Sequence, residues 1–122
     1  MVVDDEPDGA ALTGYVLRQY GADVKTVISG AEALEVFERY EGWPPEILIS
    51  DIQMPGMDGY ALMRRVRKLD PGRGRNIPAI ALTAHSRAED RIRALAAGFQ
   101  IHVAKPFDPD ELLAVVESVA KS

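Results

Sequence analysis

The chain has 122 residues, of which 47% are hydrophobic and 27% charged, values typical of one globular domain that buries its own core. It contains no cysteine, which excludes disulfides, thiolate metal sites and a thiol nucleophile. The net charge of -5 argues against nucleic-acid binding by the domain as a whole, and no apolar run reaches the length of about 18 residues that would predict membrane insertion. We therefore predict a single domain over residues 1–122, located in the cytoplasm.

Short β-rich segments alternate with segments of helical periodicity along the whole chain. The predicted strands, in chain order, are 2–3, 23–27, 47–49, 79–82 and 101–104. Apolar residues spaced three and four apart predict the helices that follow them, within 12–20, 33–40, 62–69, 92–96 and 112–119. Strict alternation of strand and helix predicts an α/β fold, with a parallel sheet and helices on both of its faces.

Local signals mark several helix ends. Two capping-box spacings predict helix starts, at Ser29 with Glu32 and at Asp108 with Glu111. Gly21 and Gly98 follow helical segments and suit the left-handed residue that ends many helices. These signals place the second and fifth helices and the ends of the first and fourth.

The predicted strands end on polar side chains, and parallel strands end at the same edge of a sheet. The residues at these ends are Asp4 and Asp5 after the first strand, Asp51 after the third, Thr83 after the fourth and Lys105 after the fifth. Three neighbouring carboxylates repel one another unless a cation neutralises them. Oxygen ligands with no Cys or His nearby favour Mg²⁺, so the sequence predicts a magnesium site at this edge.

A carboxylate beside such an ion can attack phosphorus and become an aspartyl phosphate, and Asp51 is the candidate nucleophile. Lys105 would then balance charge on the phosphoryl group, and Thr83 would donate a hydrogen bond to it. Each residue alone has an ordinary explanation, as a helix cap, a hydroxyl at the end of a strand or a solvated lysine. Their convergence at one edge favours the phosphoryl site.

Four segments together, "VVDDE", "LISDIQMPGMDGY", "ALTA" and "AKPF", resemble the receiver domain of bacterial two-component response regulators. The resemblance covers almost the whole chain. It implies a flavodoxin-like, doubly wound fold whose five parallel strands lie in the order 2-1-3-4-5. It also implies a phosphoacceptor rather than an enzyme, with a histidine kinase or histidine phosphotransfer protein as partner and Mg²⁺ as cofactor.

The resemblance assigns a role to each residue of the site. Asp5 is implied to bind the metal directly, Asp4 to bind it through water, and the backbone carbonyl of Gln53 to complete the metal shell together with Asp51. Thr83 and Lys105 complete the phosphate site. The family also implies a cis peptide bond between Lys105 and the proline that follows it.

One position departs from the family pattern. His102 lies three residues before Lys105, where the family usually carries a Tyr or Phe that moves together with the threonine at position 83. Histidine changes charge near neutral pH, so the switch formed by Thr83 and His102 is either altered or pH-sensitive, unless the ring only fills space. We expect phosphorylation to be read out at the face formed by the fourth helix, fifth strand and fifth helix.

Six basic residues cluster after the third strand: Arg64, Arg65, Arg67, Lys68, Arg73 and Arg75. Such a cluster is usually a solvated helix face, and the sharper alternative is a docking surface for an acidic partner. The basic loop and "ALTAHSRAEDRIRALAAGFQ" resemble receivers carried by hybrid histidine kinases, which favours that setting over a free-standing regulator. The output partner is not predicted.

Three other functions use similar residues or a similar sheet. A phosphatase of the haloacid-dehalogenase type needs an acid two residues after its nucleophile, and this chain has Gln53 there. A flavin-binding domain needs a phosphate loop after the first strand, where the acidic "DDEPD" would repel phosphate. A structural pseudo-receiver generally loses the acceptor or the acids, and this chain retains them.

Overall fold

The computed structural model describes residues 1–39, 45–70, 72, 74–84 and 87–120. Within these ranges five strands alternate with five helices. The strands are β1 (Val2–Val3), β2 (Thr26–Val27), β3 (Leu48–Asp51), β4 (Ala79–Thr83) and β5 (Ile101–Ala104). The helices are α1 (Pro7–Gln19), α2 (Gly30–Arg39), α3 (Gly59–Val66), α4 (Ala88–Ala97) and α5 (Pro109–Ala120). Residue 40 of the predicted second helix and Arg73 of the basic cluster lie outside the described residues.

The strands form one parallel sheet in the order β2-β1-β3-β4-β5, which confirms the predicted fold. The predicted boundaries of three strands were wrong: those of the second and third, and that of the fourth, which ends at Thr83 and not at Leu82. The third strand also begins at Leu48 and not at Ile47. The second strand is shorter than 23–27, because it is an edge strand and its only neighbour, β1, is two residues long. The third strand runs on through Asp51, because the Ile52 amide still donates to the Leu82 carbonyl at 3.1 Å.

The sheet separates two hydrophobic cores. One core packs α2, α3 and α4 against one face, and the other packs α1 and α5 against the opposite face. Strand β4 is buried along its whole length and divides its side chains between the two. Ala79 and Ala81 face the α3 and α4 side, whereas Ile80 and Leu82 face α1 and α5. No helix within the described residues is long and apolar enough to span a bilayer.

The predicted helix caps are largely present. The Glu32 amide donates to the Ser29 hydroxyl at 3.1 Å, although the Glu32 carboxylate accepts from the Ile28 amide instead of returning to Ser29. The Asp108 carboxylate accepts from the Asp110 amide at 2.8 Å. Gly21 and Gly98 both have the positive φ expected of residues that end a helix.

Helix α3 starts in close contact with the end of β3. Its first residue, Gly59, donates its amide to the Ile52 carbonyl at 2.8 Å. A methyl group at position 59 would collide with the Asp51 carbonyl and would lie 2.8 Å from the Ile52 Cα. These are backbone atoms of a buried strand end and cannot turn aside as a flexible side chain could. Gly59 therefore fixes how closely α3 approaches Asp51.

We predict that Gly59→Ala destabilises the fold by about 2 kcal/mol, because the added methyl group forces β3 and α3 apart. Thermal unfolding measures the loss as a midpoint lowered by several degrees. Gly72→Ala is the matched control, since a methyl group at that exposed position meets no atom within 4 Å. Equal midpoints for the two variants would contradict the close approach described for Gly59.

Candidate functional site

Three carboxylates meet at the carboxyl edge of the sheet. Asp4 follows β1, Asp5 follows Asp4, and Asp51 is the last residue of β3. One carboxylate oxygen of each residue lies within 4.8 Å of the other two. The parallel pairing of β1 with β3 brings these strand ends side by side, as the sequence predicted.

Lys105 supplies the positive charge of this cluster. Its Nζ lies 3.2 Å from Asp51 Oδ2 and 3.4 Å from Asp4 Oδ2. Burial lowers the pKa of Lys105, but the charges of Asp51 and Asp4 and the hydrogen bonds to them outweigh burial and raise it. Lys105 therefore stays protonated and bridges β5 to the ends of β1 and β3.

Burial raises the pKa of Asp51, and the nearby charge of Asp4 adds to this effect. The attraction of Lys105 and its hydrogen bond act in the opposite direction without cancelling it. The Asp51 side chain is 11% exposed, whereas the Asp4 side chain is fully buried. Asp51 is thus the more accessible of these two carboxylates.

The chain around Asp4 is built to hold this buried carboxylate. Its Oδ1 accepts the Glu6 amide at 3.0 Å, at the start of α1, while its Oδ2 accepts from Lys105. A methyl group at Gly9 would lie 2.5 Å from Asp4 Oδ2, so the first turn of α1 packs directly on the carboxylate. Sequence reasoning identified Asp4 but missed Gly9, for which no local motif gave a signal.

Thr83 lies on the other side of Asp51. It is buried at the end of β4, and its backbone carbonyl accepts the Lys105 amide at 2.8 Å. The peptide bond from Lys105 to Pro106 is cis, as the family resemblance implied. The ends of β4 and β5 are therefore joined immediately beside the carboxylates.

A cleft opens next to Thr83, between the loop after β3 and the start of α4. Gln53 lines it together with Thr83, and its other walls include Asp58, Tyr60 and Arg93. Asp58 caps α3 by accepting the Ala61 amide at 2.8 Å. The Arg93 guanidinium lies 4.3 Å above the centre of the Tyr60 ring, a contact across 33 positions that the sequence did not reveal.

His102 is half-buried on β5 and pairs with Ala81 of β4. Its Nδ1 is fully buried and accepts or donates no hydrogen bond within the part of the chain that the structure describes. A tyrosine or phenylalanine ring has no polar atom at this point. His102 therefore places a buried nitrogen, with no hydrogen-bond partner among the described residues, at the predicted switch position.

Arg67 differs from the rest of the basic cluster. Its guanidinium donates to the Gly98 carbonyl at 2.6 and 3.1 Å and to the Arg75 carbonyl at 2.9 Å. Burial lowers its pKa. The prediction of a solvated or docking arginine was wrong at this position, because Arg67 connects α3 to the end of α4 inside the fold.

Comparison with known proteins agrees with this geometry. A family model for the response regulator receiver domain matches residues 1–117. An uncharacterised 14.6 kDa protein of Leptolyngbya boryana is 45% identical over 96% of this chain and 86% of its own length. Response regulator Rre1 of Synechocystis is 34% identical over 98% of this chain, which spans only 50% of that protein.

Solved structures show the same fold. The receiver domain of the sensor histidine kinase PA1611 from Pseudomonas aeruginosa is 32% identical and has a TM-score of 0.87, with 99% of this chain and 95% of that chain covered. That structure has a magnesium ion coordinated in its active-site cleft. Similarity to it therefore extends over the strand ends that carry the carboxylates.

We predict that Lys105→Met destabilises the metal-free chain by about 1–3 kcal/mol at pH 7, because two carboxylates lose their partner. Without the ammonium, burial keeps the pKa of Asp51 higher in the folded chain than in the unfolded chain. The variant therefore loses stability as the pH rises from about 4 to 7 and approaches wild type on acidification.

Urea unfolding in EDTA at several pH values measures this difference. The matched control is Lys25→Met, which removes an exposed lysine far from the carboxylates in the fold. A loss of stability in Lys105→Met that did not change with pH would show that packing, and not charge, accounts for the effect.

Proposed function

Since this chain belongs to the response regulator receiver domain family of two-component signalling, we propose that Asp51 accepts a phosphoryl group from a phosphohistidine. The donor is a histidine kinase or a histidine phosphotransfer protein. The observation that carries the proposal is the position of Asp51 at the end of β3, within 4.8 Å of two carboxylates and 3.2 Å from an ammonium. The chain acts as a phosphoacceptor and not as an enzyme with a released product.

In the proposed reaction, an Asp51 carboxylate oxygen attacks phosphorus, and the bond from phosphorus to the histidine nitrogen breaks. The electron pair leaves with the imidazole, and the product is an acyl phosphate. Lys105 pairs with a phosphoryl oxygen, and the Thr83 hydroxyl donates to another. Lys105 Nζ lies 3.2 Å from Asp51 Oδ2 before the phosphoryl group arrives, so this cation is already in place to receive it.

The donor set of the site fits Mg²⁺. Asp4, Asp5 and Asp51 offer only oxygen ligands, and the Gln53 carbonyl lies on the adjoining loop. We propose that these four residues hold the ion, with Asp5 binding it directly and Asp4 through water. When bound, Mg²⁺ offsets the charge of the incoming phosphoryl oxygens.

We further propose that the receiver works in the cytoplasm as part of a hybrid histidine kinase. The receiver of a sensor histidine kinase resembles this chain over almost its full length, which supports that setting. In the alternative, the domain is a free-standing regulator. The phosphoacceptor chemistry at Asp51 is the same in both settings.

The central prediction is that acetyl phosphate with Mg²⁺ adds one phosphoryl group to the chain and that Asp51→Asn prevents it. Intact-mass spectrometry measures the adduct. Asp58→Asn is the matched control, because this carboxylate caps α3 and asparagine caps a helix equally well. It should label like wild type.

The chemistry of the adduct separates an acyl phosphate from other modifications. EDTA and Asp5→Asn should each lower labelling at least about tenfold, since the phosphate then meets uncompensated carboxylates. Hydroxylamine should remove the adduct, whereas a phosphoserine at Ser50 would survive. Labelling that persists in Asp51→Asn or without metal would refute the proposal.

We propose that phosphorylation is read out at the face formed by α4, β5 and α5. Thr83 pairs with Ala104 of β5, so a shift of Thr83 acts directly on that strand. The face also carries exposed apolar side chains, with Ile92 at 64%, Leu95 at 51% and Ile101 at 38% exposure. An exposed apolar group of this kind is typical of a surface that gains a partner.

We predict that beryllofluoride, which mimics the phosphoryl group, changes amide hydrogen exchange in α4 and β5 and leaves α2 unchanged. Mass spectrometry of peptic peptides measures the exchange. His102→Tyr introduces the usual ring, and if position 102 acts as the switch, beryllofluoride should change exchange in the same segments of this variant. In Asp51→Asn, beryllofluoride should change no exchange rate. A response confined to the loop after β3 would contradict this readout face.

A further inference from the structure

Charge is unevenly distributed along the chain. Residues 64–93 contain nine of the 14 lysines and arginines and only three of the 19 acids. The remaining positions contain five basic residues and sixteen acids. A chain with a net charge of -5 therefore concentrates positive charge on the α3 and α4 segment, which lies outside the carboxylate cluster.

Four exposed basic residues on α3, just after it, on the loop that follows and on α4 are together named the basic ridge: Arg64, Lys68, Arg75 and Arg93. Arg93 stacks on Tyr60 in the first turn of α3. Arg64 lies four residues beyond Tyr60, one turn further along the same side of α3, and Lys68 follows in the turn after α3 ends at Val66. The Arg67 guanidinium binds the Arg75 carbonyl and holds Arg75 beside the end of α3.

Asp58 and Asp90 line the same cleft as Arg93, but neither forms a salt bridge with a ridge residue in the part of the chain that the structure describes. All four ridge side chains are exposed, and none forms a salt bridge among the described residues, where the ion pairs join Arg39 to Glu35 and Lys105 to the site. Arg67, by contrast, is held within the fold by backbone carbonyls. The exposed charges of the ridge are therefore available for a partner.

We propose that the basic ridge binds an acidic segment, rich in Asp and Glu, of a partner protein. Charge complementarity selects an anionic partner, and arginine is enriched in protein interfaces. A nucleic acid fits less well. Its phosphates extend past a short ridge and would be repelled by the rest of a chain whose net charge is -5.

Fluorescence anisotropy tests the proposal with three labelled probes: a peptide of about 12 residues alternating Glu and Ala, the same peptide with Gln for Glu, and a short DNA duplex. Lys68→Glu changes the ridge, and Lys25→Glu is the matched control with the same exposed residue and the same change in charge. Circular dichroism establishes that both variants keep the fold, so loss of binding is not loss of structure.

We expect the Glu peptide to bind wild type at about 150 mM salt, and the Gln peptide to bind at least about tenfold more weakly. Lys68→Glu should lower the affinity for the Glu peptide at least about fivefold, and Lys25→Glu should lower it less than about twofold. No binding of the Glu peptide, or equal effects of the two substitutions, would overturn the proposal. If the duplex bound more tightly than the Glu peptide, and Lys68→Glu abolished that binding, the proposal would be overturned in favour of a nucleic acid.

Discussion

The attraction of one ammonium for two buried carboxylates organises this structure. Lys105 reaches Asp4 and Asp51 from the end of the edge strand β5, so the ends of three strands that are distant in sequence are joined at one point. Carboxylates this close repel one another, and their burial adds the free-energy cost of removing charge from water. The strands, the first turn of α1 and the tight start of α3 all serve to hold this cluster together. Three carboxylates against one ammonium leave an excess of negative charge at the site, which favours a cation there.

Much of the fold and of this cluster could be predicted from the sequence. The alternating pattern predicts the order of elements, and the residue that ends each strand predicts the side chains that meet, because parallel strands share an edge. Asp4, Asp5, Asp51, Thr83 and Lys105 were all identified in this way, and the structure brings them together. Their chemical roles follow from the family and stay predictions.

The features that escaped prediction depend on contacts between distant segments. The short β2 reflects the length of its neighbour and not its own composition. Arg67 reads as a surface cation, yet its partner is the carbonyl of Gly98, which only the packing of α3 against α4 brings near. The Arg93 stack on Tyr60 has the same origin. Local patterns carry no information about such pairs, whereas strand ends are fixed by topology.

Side chains along β4 differ in size between the two faces of the sheet. Ala79 and Ala81 enter the core on the α2, α3 and α4 side, which also contains Ala94 and Ala97 of α4. Ile80 and Leu82 enter the core on the α1 and α5 side. A larger residue at position 79 or 81 would therefore press on fully buried neighbours, whereas positions 80 and 82 already hold long side chains and accept exchanges of similar volume.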